Sequence, residues 1–524
     1  MLNKVNNLWS WLSSSTSHIT NGVFLTVVTG FASLILLSFI FSIKKRGKEK
    51  SPSPPGPTGL PFVGYLPFLG SDLRWTFKDL ADIYGPIFKV RLGTKEVVVI
   101  TSPSLAKEVL RDKDVVFSNR DPTIAAKTAI FEASDIVFSN YGPELRKMKK
   151  IFVSEMLSNV NLEANYHLRT QKVKSMINTV YKRAGELVDI GELAFLTEIS
   201  LAMSMVWGDT MKGLDGNAFD TEFRSVVDDF MLLLGKPNIS DYIPCLALFD
   251  LQGIRRKMKS VAERFEKLFD LAIEQRSITD SIHQKDFLGC LLELTKADNP
   301  ATSLSLSQVK GILLDAIIGG VDTTATTVEW AMAEILKHPE IMKNVQEELT
   351  MIIGLNNRVE EDHLGDLKYL NAVLKETLRL HPPIPLFFPH SPSSDTTIGG
   401  YTVRNNSQVY INTWAIHRDP QIWEAPSEFR PERFLNGCRK FDFLGKQFEY
   451  LPFGSGRRMC PGITLAEKTS MFVLASLLHS FEWKLPNDTV GVDLTETFGI
   501  VVKKSKAMVA VPSPRLSKLE LYSE

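Results

Sequence analysis

A single cysteine is set inside a glycine-rich loop, Phe453-Gly454-Ser455-Gly456-Arg457-Arg458-Met459-Cys460-Pro461-Gly462, directly before a stretch of helical period. Gly454, Gly456 and Gly462 permit backbone conformations and close approaches that a side chain would forbid. A loop of this kind presents its sulfur as a thiolate, and Arg458, two residues earlier, offers a planar fork to an anionic group beside it. A fold that enclosed a flat, anionic partner next to Cys460 would fit such a loop. The chain is large enough to do so: it has 524 residues and no low-complexity linker after Pro57, which favours one large body.

Upstream, a helical pattern opens at Ser305-Leu306-Ser307-Gln308, a capping-box spacing, and closes by Lys337-His338-Pro339. Roughly thirty residues span about 45 Å at the helical rise, enough to cross a domain. Its centre reads Gly319-Gly320-Val321-Asp322-Thr323-Thr324. Each mid-helix glycine costs about 1 kcal/mol relative to alanine, so something must approach the helix there, and an adjacent acid and alcohol can pass on protons. Further on, Glu376 and Arg379 share a helix face at i,i+3, and Phe429-Arg430-Pro431-Glu432-Arg433-Phe434 follows. Between them, the prolines of His381-Pro382-Pro383-Ile384-Pro385-Leu386-Phe387-Phe388-Pro389 impose extended backbone. His381 and His390 lack the partner spacing of a metal site.

The rest is mostly helical in period. Residues 86–100 read as a hairpin around Gly93-Thr94-Lys95, 103–111 as helix, and 119–140 as an aperiodic loop. A helix starts after Pro143, and helical patterns fill 155–280 with a break between Lys236 and Pro244. The fold class is mainly α with a small β-sheet region.

The cysteine loop resembles the haem-binding signature of the cytochromes P450, Phe-x-x-Gly-x-Arg-x-Cys-x-Gly, with Phe453, Gly456, Arg458, Cys460 and Gly462 in every fixed place. The long helix is similar to that family's Ala/Gly-Gly-x-Asp/Glu-Thr-Thr motif, and Glu-x-x-Arg and Pro-Glu-Arg-Phe follow in the family's order. The whole chain resembles plant A-type microsomal P450s. Trp414-Ala415-Ile416-His417-Arg418-Asp419-Pro420 and Leu477-Leu478-His479-Ser480-Phe481-Glu482-Trp483 look most like a subgroup with terpenoid, chiefly sesquiterpene, oxidases.

The resemblance implies a P450 catalytic domain over residues 61–524, with haem b held through Cys460 as axial thiolate and Phe453, Gly456, Arg458 and Gly462 around it. It assigns proton delivery to Asp322 and Thr323, and a buried network behind the haem to Glu376, Arg379 and Arg433. Where the family carries Trp-x-x-x-Arg toward a haem propionate, this chain has Leu145 and Lys149; Leu145 cannot donate, and Lys149 serves as a point charge. The implied pocket takes Ile124, Ala125, Ile130 and Phe131 from the 119–140 loop, and Ala316 and Gly320 from the long helix. Ile384, Leu386 and Phe387 come from the proline-rich stretch, with Phe498 and Ile500 from a late turn. These are nearly all apolar, which suits a small hydrophobic compound bound by shape. Phe230, Met231, Leu232, Leu233, Tyr242 and Leu246 are either ordinary core or the lining of a lid.

The implied reaction converts RH, O₂, two electrons and two protons into ROH and water. No Gly-x-Gly-x-x-Gly fingerprint occurs, so electrons arrive from outside: the family's donor is NADPH–cytochrome P450 reductase, with cytochrome b5 as a second. The expected substrate is a plant specialised metabolite, a terpenoid. The alternatives are a phenylpropanoid, flavonoid or other small aromatic, a rearrangement or dehydration without O₂ that needs no acid–alcohol pair, and a non-enzymatic haem sensor.

Residues 22–43 form a charge-free apolar run of membrane-spanning length, followed by Lys44, Lys45, Arg46, Lys48 and Lys50. The positive-inside rule then leaves 1–21 in the lumen and the body in the cytoplasm, anchored once in the endoplasmic reticulum membrane. A cleavable signal would have a shorter apolar core and a small-residue cleavage site. Residues 44–60 form a basic and proline-rich hinge. Charge is balanced, with 60 basic and 60 acidic residues, which gives no sign of nucleic-acid binding. Cys245, Cys290, Cys438 and Cys460 lack disulfide-like spacing, as in a reducing compartment. A cytoplasmic body leaves the acceptors Asn238-Ile239-Ser240, Asn405-Asn406-Ser407 and Asn487-Asp488-Thr489 bare; endoglycosidase-sensitive sugar on any of them would reverse the topology.

Overall fold

The computed structural model describes residues 52–129, 134–208, 216–278, 286–435, 440–486 and 491–523. The expected lumenal segment, the spanning run 22–43, the basic residues 44–51 and Asn487 lie outside them, as do the pocket residues Ile130 and Phe131.

Helices build the body, among them, in chain order, α1 (Leu73–Tyr84), α2 (Ile124–Ala129), α3 (Pro143–Glu155), α4 (Tyr166–Lys182), α5 (Ile190–Trp207), α6 (Gly216–Gly235), α7 (Ile254–Ile278), α8 (Leu306–Lys337), α9 (Lys368–Leu380) and α10 (Ile463–Ser480), with further helices and short turns between them. A small sheet flanks them, ordered β1 (Ile87–Leu92), β2 (Lys95–Ile100), β5 (Gln408–Ile411), β4 (His390–Ser391) and β3 (Asn119–Arg120). The β1–β2 hairpin pairs Ile87 with Ile100 through Leu92 with Lys95. Its turn needs glycine: Gly93 has φ 59°, and a Cβ there would stand 2.2 Å from the Tyr242 carbonyl oxygen. Two further short strands, β6 (Glu496–Thr497) and β7 (Lys503–Lys504), form a separate hairpin.

The stretch expected to be an aperiodic loop contains α2. Its first turn is capped from outside, with Ile124 N–H donating to Asp241 Oδ1 at 2.6 Å and Ala126 N–H to Thr123 Oγ1 at 3.2 Å. Six residues with such a cap form a helix through tertiary contact rather than period.

The long helix begins where its capping box places it: Gln308 N–H donates to Ser305 Oγ at 3.2 Å, and Ser305 N–H to Gln308 Oε1 at 3.0 Å. It packs against α5 and α10, and α4 closes the bundle against both of these. Helices α5 and α8 are apolar enough to cross a membrane by composition, yet 72% of that stretch in each is buried in the body. Val309 to Val321 of α8 belong to one hydrophobic core, with side chains of α3, α5, α6 and α7. Ala325 to Ile335 belong to a second, with α4, α9 and α10. The seam between the cores falls at Asp322-Thr323-Thr324.

Glu376 and Arg379 are both fully buried. Arg379 Nε and Nη2 donate to the Glu376 carboxylate at 2.7 and 2.8 Å, and Arg433 Nε adds a bond at 3.0 Å. Arg379 Nη1 also donates to the carbonyl of His417 at 2.7 Å, and the His417 ring Nε2 accepts from Leu451 N–H at 2.9 Å, just before the cysteine loop. Burial, with Arg379 and Arg418 nearby, pushes His417 down to about 3, which keeps that nitrogen an acceptor. The network thus runs from α9 to the loop.

Two outcomes follow from this arrangement. Asn238 is buried and Asn405 exposed, so among the described acceptors Asn405 carries the topology test. Arg379→Met leaves the Glu376 charge buried without its main partner, a change worth about 3–5 kcal/mol; urea unfolding of the holoprotein should show a loss of that order, and a loss under about 1 kcal/mol would mean that the pair behaves as a surface one.

Candidate active site

Cys460 sits at one wall of an interior cavity of about 330 Å³, within the range of ligand sites. The loop is shaped by its glycines: Gly454 and Gly456 have φ of 73° and 70°, and a Cβ on Gly456 would meet the Leu110 carbonyl oxygen at 1.9 Å. Cys460 N–H donates to Phe453 O at 3.0 Å, and the Phe453 ring packs edge-on against Phe443 at 5.3 Å. A Cβ on Gly462 would come 3.9 Å from the sulfur. Burial raises the Cys460 thiol, while the Gly462 amide and the Lys149 ammonium lower it. A metal cation bound to such a thiol takes over this role and deprotonates it outright.

One edge of the cavity is cationic. Arg458 donates to the carbonyls of Ser118 at 2.7 Å, Ile136 at 3.0 Å and Ser139, and burial lowers it to about 10 against the pull of Asp135 and Asp315. Arg120 donates to Phe388 O at 2.7 Å and Pro389 O at 3.2 Å; burial and Arg458 hold it well below the usual range. Burial does the same to His390, whose Nδ1 lies 2.7 Å from Phe117 O. Lys149 Nζ donates to the carbonyls of Arg457 and Met459, both at 2.9 Å, so it secures the cysteine loop while lining the cavity. The carbonyl partners carry no charge, and burial raises the carboxyls of Asp135 and Asp315 toward their neutral form, so this edge suits carboxylates. A thiolate donor beside a cationic edge fits haem: Cys460 would hold the iron, and Arg120, Arg458 and Lys149 would meet the propionates.

Opposite lies α8. Gly319 and Gly320 line the cavity, and a Cβ on either would meet nothing within 4 Å: they border open space. Thr323 also lines it, its Oγ1 donating to Gly319 O at 2.8 Å. Asp322 is not part of the cavity lining. Consecutive helical residues are turned by about 100°, and Asp322 faces away from the cavity. Its Oδ1 lies 2.5 Å from Lys503 Nζ on β7, and its buried Oδ2 has no hydrogen-bond partner.

The expected pocket holds in part. Ala316, Gly320, Ile384, Phe387 and Ile500 line the cavity. Phe387 does so through a left-handed backbone, φ 53°, a conformation costing a non-glycine residue about 1–3 kcal/mol. That turn sends Leu386 the other way, into the core under the β1–β2 hairpin. Phe498 packs against the same core, 5.6 Å from the Arg74 guanidinium. Ile124 and Ala125 are replaced at the wall by Ala126, because α2 turns that face inward. Of the core-or-lid residues, Phe230 and Met231 line the cavity and Leu232 is exposed. Leu233 is core, Tyr242 packs at the sheet and Leu246 is half-buried. Sequence reasoning missed Arg120, His390 and Glu198. Glu198, which burial pushes up to about 8, lies in an apolar helical run, where a lone acid was the available signal.

A family model described as Cytochrome P450 matches residues 54–511. Geraniol 8-hydroxylase of Swertia mussotii is 38% identical over 94% of this chain and 99% of its own length. 7-Ethoxycoumarin O-deethylase of Helianthus tuberosus is 38% identical over 92% of this chain and 98% of its own. A solved structure of a zebra fish cytochrome P450 with progesterone superposes with a TM-score of 0.73 at 23% identity, covering 84% of this chain and 99% of that one.

Replacing Cys460 with serine should abolish the absorption band of the reduced carbon-monoxide complex typical of thiolate-bound haem, while Cys245→Ser, at an exposed position, keeps it. Survival of the band in Cys460→Ser would remove that cysteine from the ligand role.

Proposed function

Because the chain belongs to the cytochrome P450 family of haem-thiolate monooxygenases, we propose that it hydroxylates a small apolar plant specialised metabolite, a terpenoid, with O₂ and electrons from NADPH–cytochrome P450 reductase. The observation that carries this reading is the cavity itself: Cys460 on one wall, and on the other a helix with two glycines bordering open space and one inward hydroxyl. Its relative from Swertia mussotii is named for a terpenoid hydroxylation.

Haem bound through Cys460 supplies the oxygen-activating chemistry. The protein's own residues do the rest. Arg120, Arg458 and Lys149 hold the carboxylate edge. Ile384, Phe387, Ile500 and Phe230 shape an apolar wall that excludes water and orients the carbon to be oxidised. Thr323 holds and passes a proton at its Oγ1, with Asp322 as the acid behind it. The balance is RH, O₂, two electrons and two protons to ROH and water.

The body would sit on the endoplasmic reticulum membrane through residues 22–43, facing the cytosol. Exposed Leu60, Phe62 and Phe68 and exposed Leu248, Phe249 and Leu251 support a membrane-facing side. Their segments meet at the β1–β2 turn, where Gly93 N–H donates to Val63 O at 2.9 Å and Thr94 N–H to Tyr242 O at 2.8 Å.

Microsomes carrying the enzyme and reductase should convert geraniol or related terpenoids in an NADPH-dependent reaction that places oxygen from labelled O₂ in the product; product made without O₂ would favour rearrangement. Thr323→Ala should retain substrate binding and lose product at the low end of the about 10²–10⁴-fold range of proton-transfer groups, because water partly substitutes, with hydrogen peroxide released instead. Unchanged product per NADPH with no added peroxide would exclude Thr323 from the relay.

A further inference from the structure

Asp322 is buried, with side-chain exposure of 3%, and its one ion-pair partner among the described residues is Lys503, whose side chain is 44% exposed. A buried carboxylate held by a cation that reaches solvent lies at an entry to the interior rather than in its core. Lys503 opens β7, directly after the turn that carries Ile500 and Val501 into the cavity wall. The turn is pinned at Val502, whose N–H donates to Pro383 O at 2.9 Å and whose carbonyl accepts from Trp330 Nε1 at 3.3 Å. Lys503 is therefore placed by backbone held on both sides. Asp228 of α6 faces the same pair: burial raises its carboxyl, Lys503 lowers it and Asp322 raises it further. On the other side of the backbone, Thr323 Oγ1 is in the cavity wall. Solvent, acid and cavity thus follow one another across a single turn of α8.

We propose that Lys503 is a positioning residue for the proton supply: its ammonium fixes the Asp322 carboxylate on the solvent side of α8, where Asp322 takes protons from water and hands them to Thr323. This rests on the role given to Thr323 above. A proton passed inward from the solvent that Lys503 meets binds Asp322 Oδ2, a buried oxygen without a partner. The acid then protonates Thr323 Oγ1 as that hydroxyl releases its own proton into the cavity, and the carboxylate is restored. Lys503 stays an ammonium throughout, and no electron moves.

The test uses holoenzyme in microsomes with reductase and NADPH, and reads hydrogen peroxide per NADPH with geraniol as the added probe. Peroxide forms whether or not geraniol is oxidised, so the assay does not require it to be the natural substrate. Lys503→Met should raise peroxide per NADPH and slow the competing formation of water and product about tenfold, below the range of a fully engaged general acid because Thr323 and water remain. Lys503→Arg should behave as wild type, and Lys503→Gln, a second variant should the methionine protein fail to load haem, as Lys503→Met. Asp322→Asn/Lys503→Met should be no worse than Asp322→Asn alone. Geraniol affinity, read from the haem absorption shift without turnover, should stay at the wild-type value in Lys503→Met. Additive losses in the double variant, or altered affinity with unchanged peroxide, would reduce Lys503 to a pin for its hairpin and overturn the proposal. A failure of the monooxygenase reading is distinct, since it would appear in the wild type as product that carries no oxygen from labelled O₂.

Discussion

The long irregular approach to Cys460 hangs on a carboxylate, that of Glu376, held away from solvent. An isolated buried carboxylate is unsustainable, and one paired in two directions by guanidinium groups is not. Arg379 supplies a side-on pair at 2.7 and 2.8 Å, stacks 5.2 Å from the Trp423 ring, and spends its remaining donors on carbonyls of the segment that follows. Arg433 and the backbone N–H of Arg430 fill the other positions around Glu376 Oε1. The irregular segments 417–435 and 440–460, with little regular hydrogen bonding of their own, are thereby tied to the rigid end of α9. The stiffness of the loop is borrowed from the helix.

The cavity divides its work by backbone type. The sulfur comes from a loop in which Gly456 sits under the Leu110 carbonyl. The cationic edge comes from a short strand, the cysteine loop and the middle of a helix that converge only in space: Arg120, Arg458 and Lys149 are far apart in sequence. The far wall is one uninterrupted helix, where the open space beside two glycines and an inward hydroxyl are set by period alone. Apolar residues then arrive from four separate segments, which lets the shape of the pocket vary while sulfur, edge and helix stay put.

Local chemistry made the elements legible. The Ser305 capping box, the hairpin around Gly93, the proline-punctuated stretch after His381 and the glycine loop each carry their instruction within a few residues, and each lies where its spacing implies. Orientation was less so. Residues 124 to 126 differ only by which face of a six-residue helix turns inward, and that is decided by Asp241, more than a hundred positions away. Leu386 and Phe387, both expected at the pocket, part company because one residue adopts a left-handed backbone that no phenylalanine advertises. Asp322 and Thr323 read as neighbours in a motif, but a helix separates neighbours, and the pull of Lys503 lies outside any local pattern.

The seam in α8 bears on folding as a whole. Two hydrophobic cores share one 32-residue helix and meet at the residues that border the cavity. A body divided in this way can melt in two steps, each core with its own half of the helix. A cofactor seated at the seam touches both halves at once, and its binding energy adds to whichever state keeps them together. Occupancy then sets cooperativity: the loaded protein unfolds as a unit, and haem supply during synthesis becomes a determinant of how much enzyme survives.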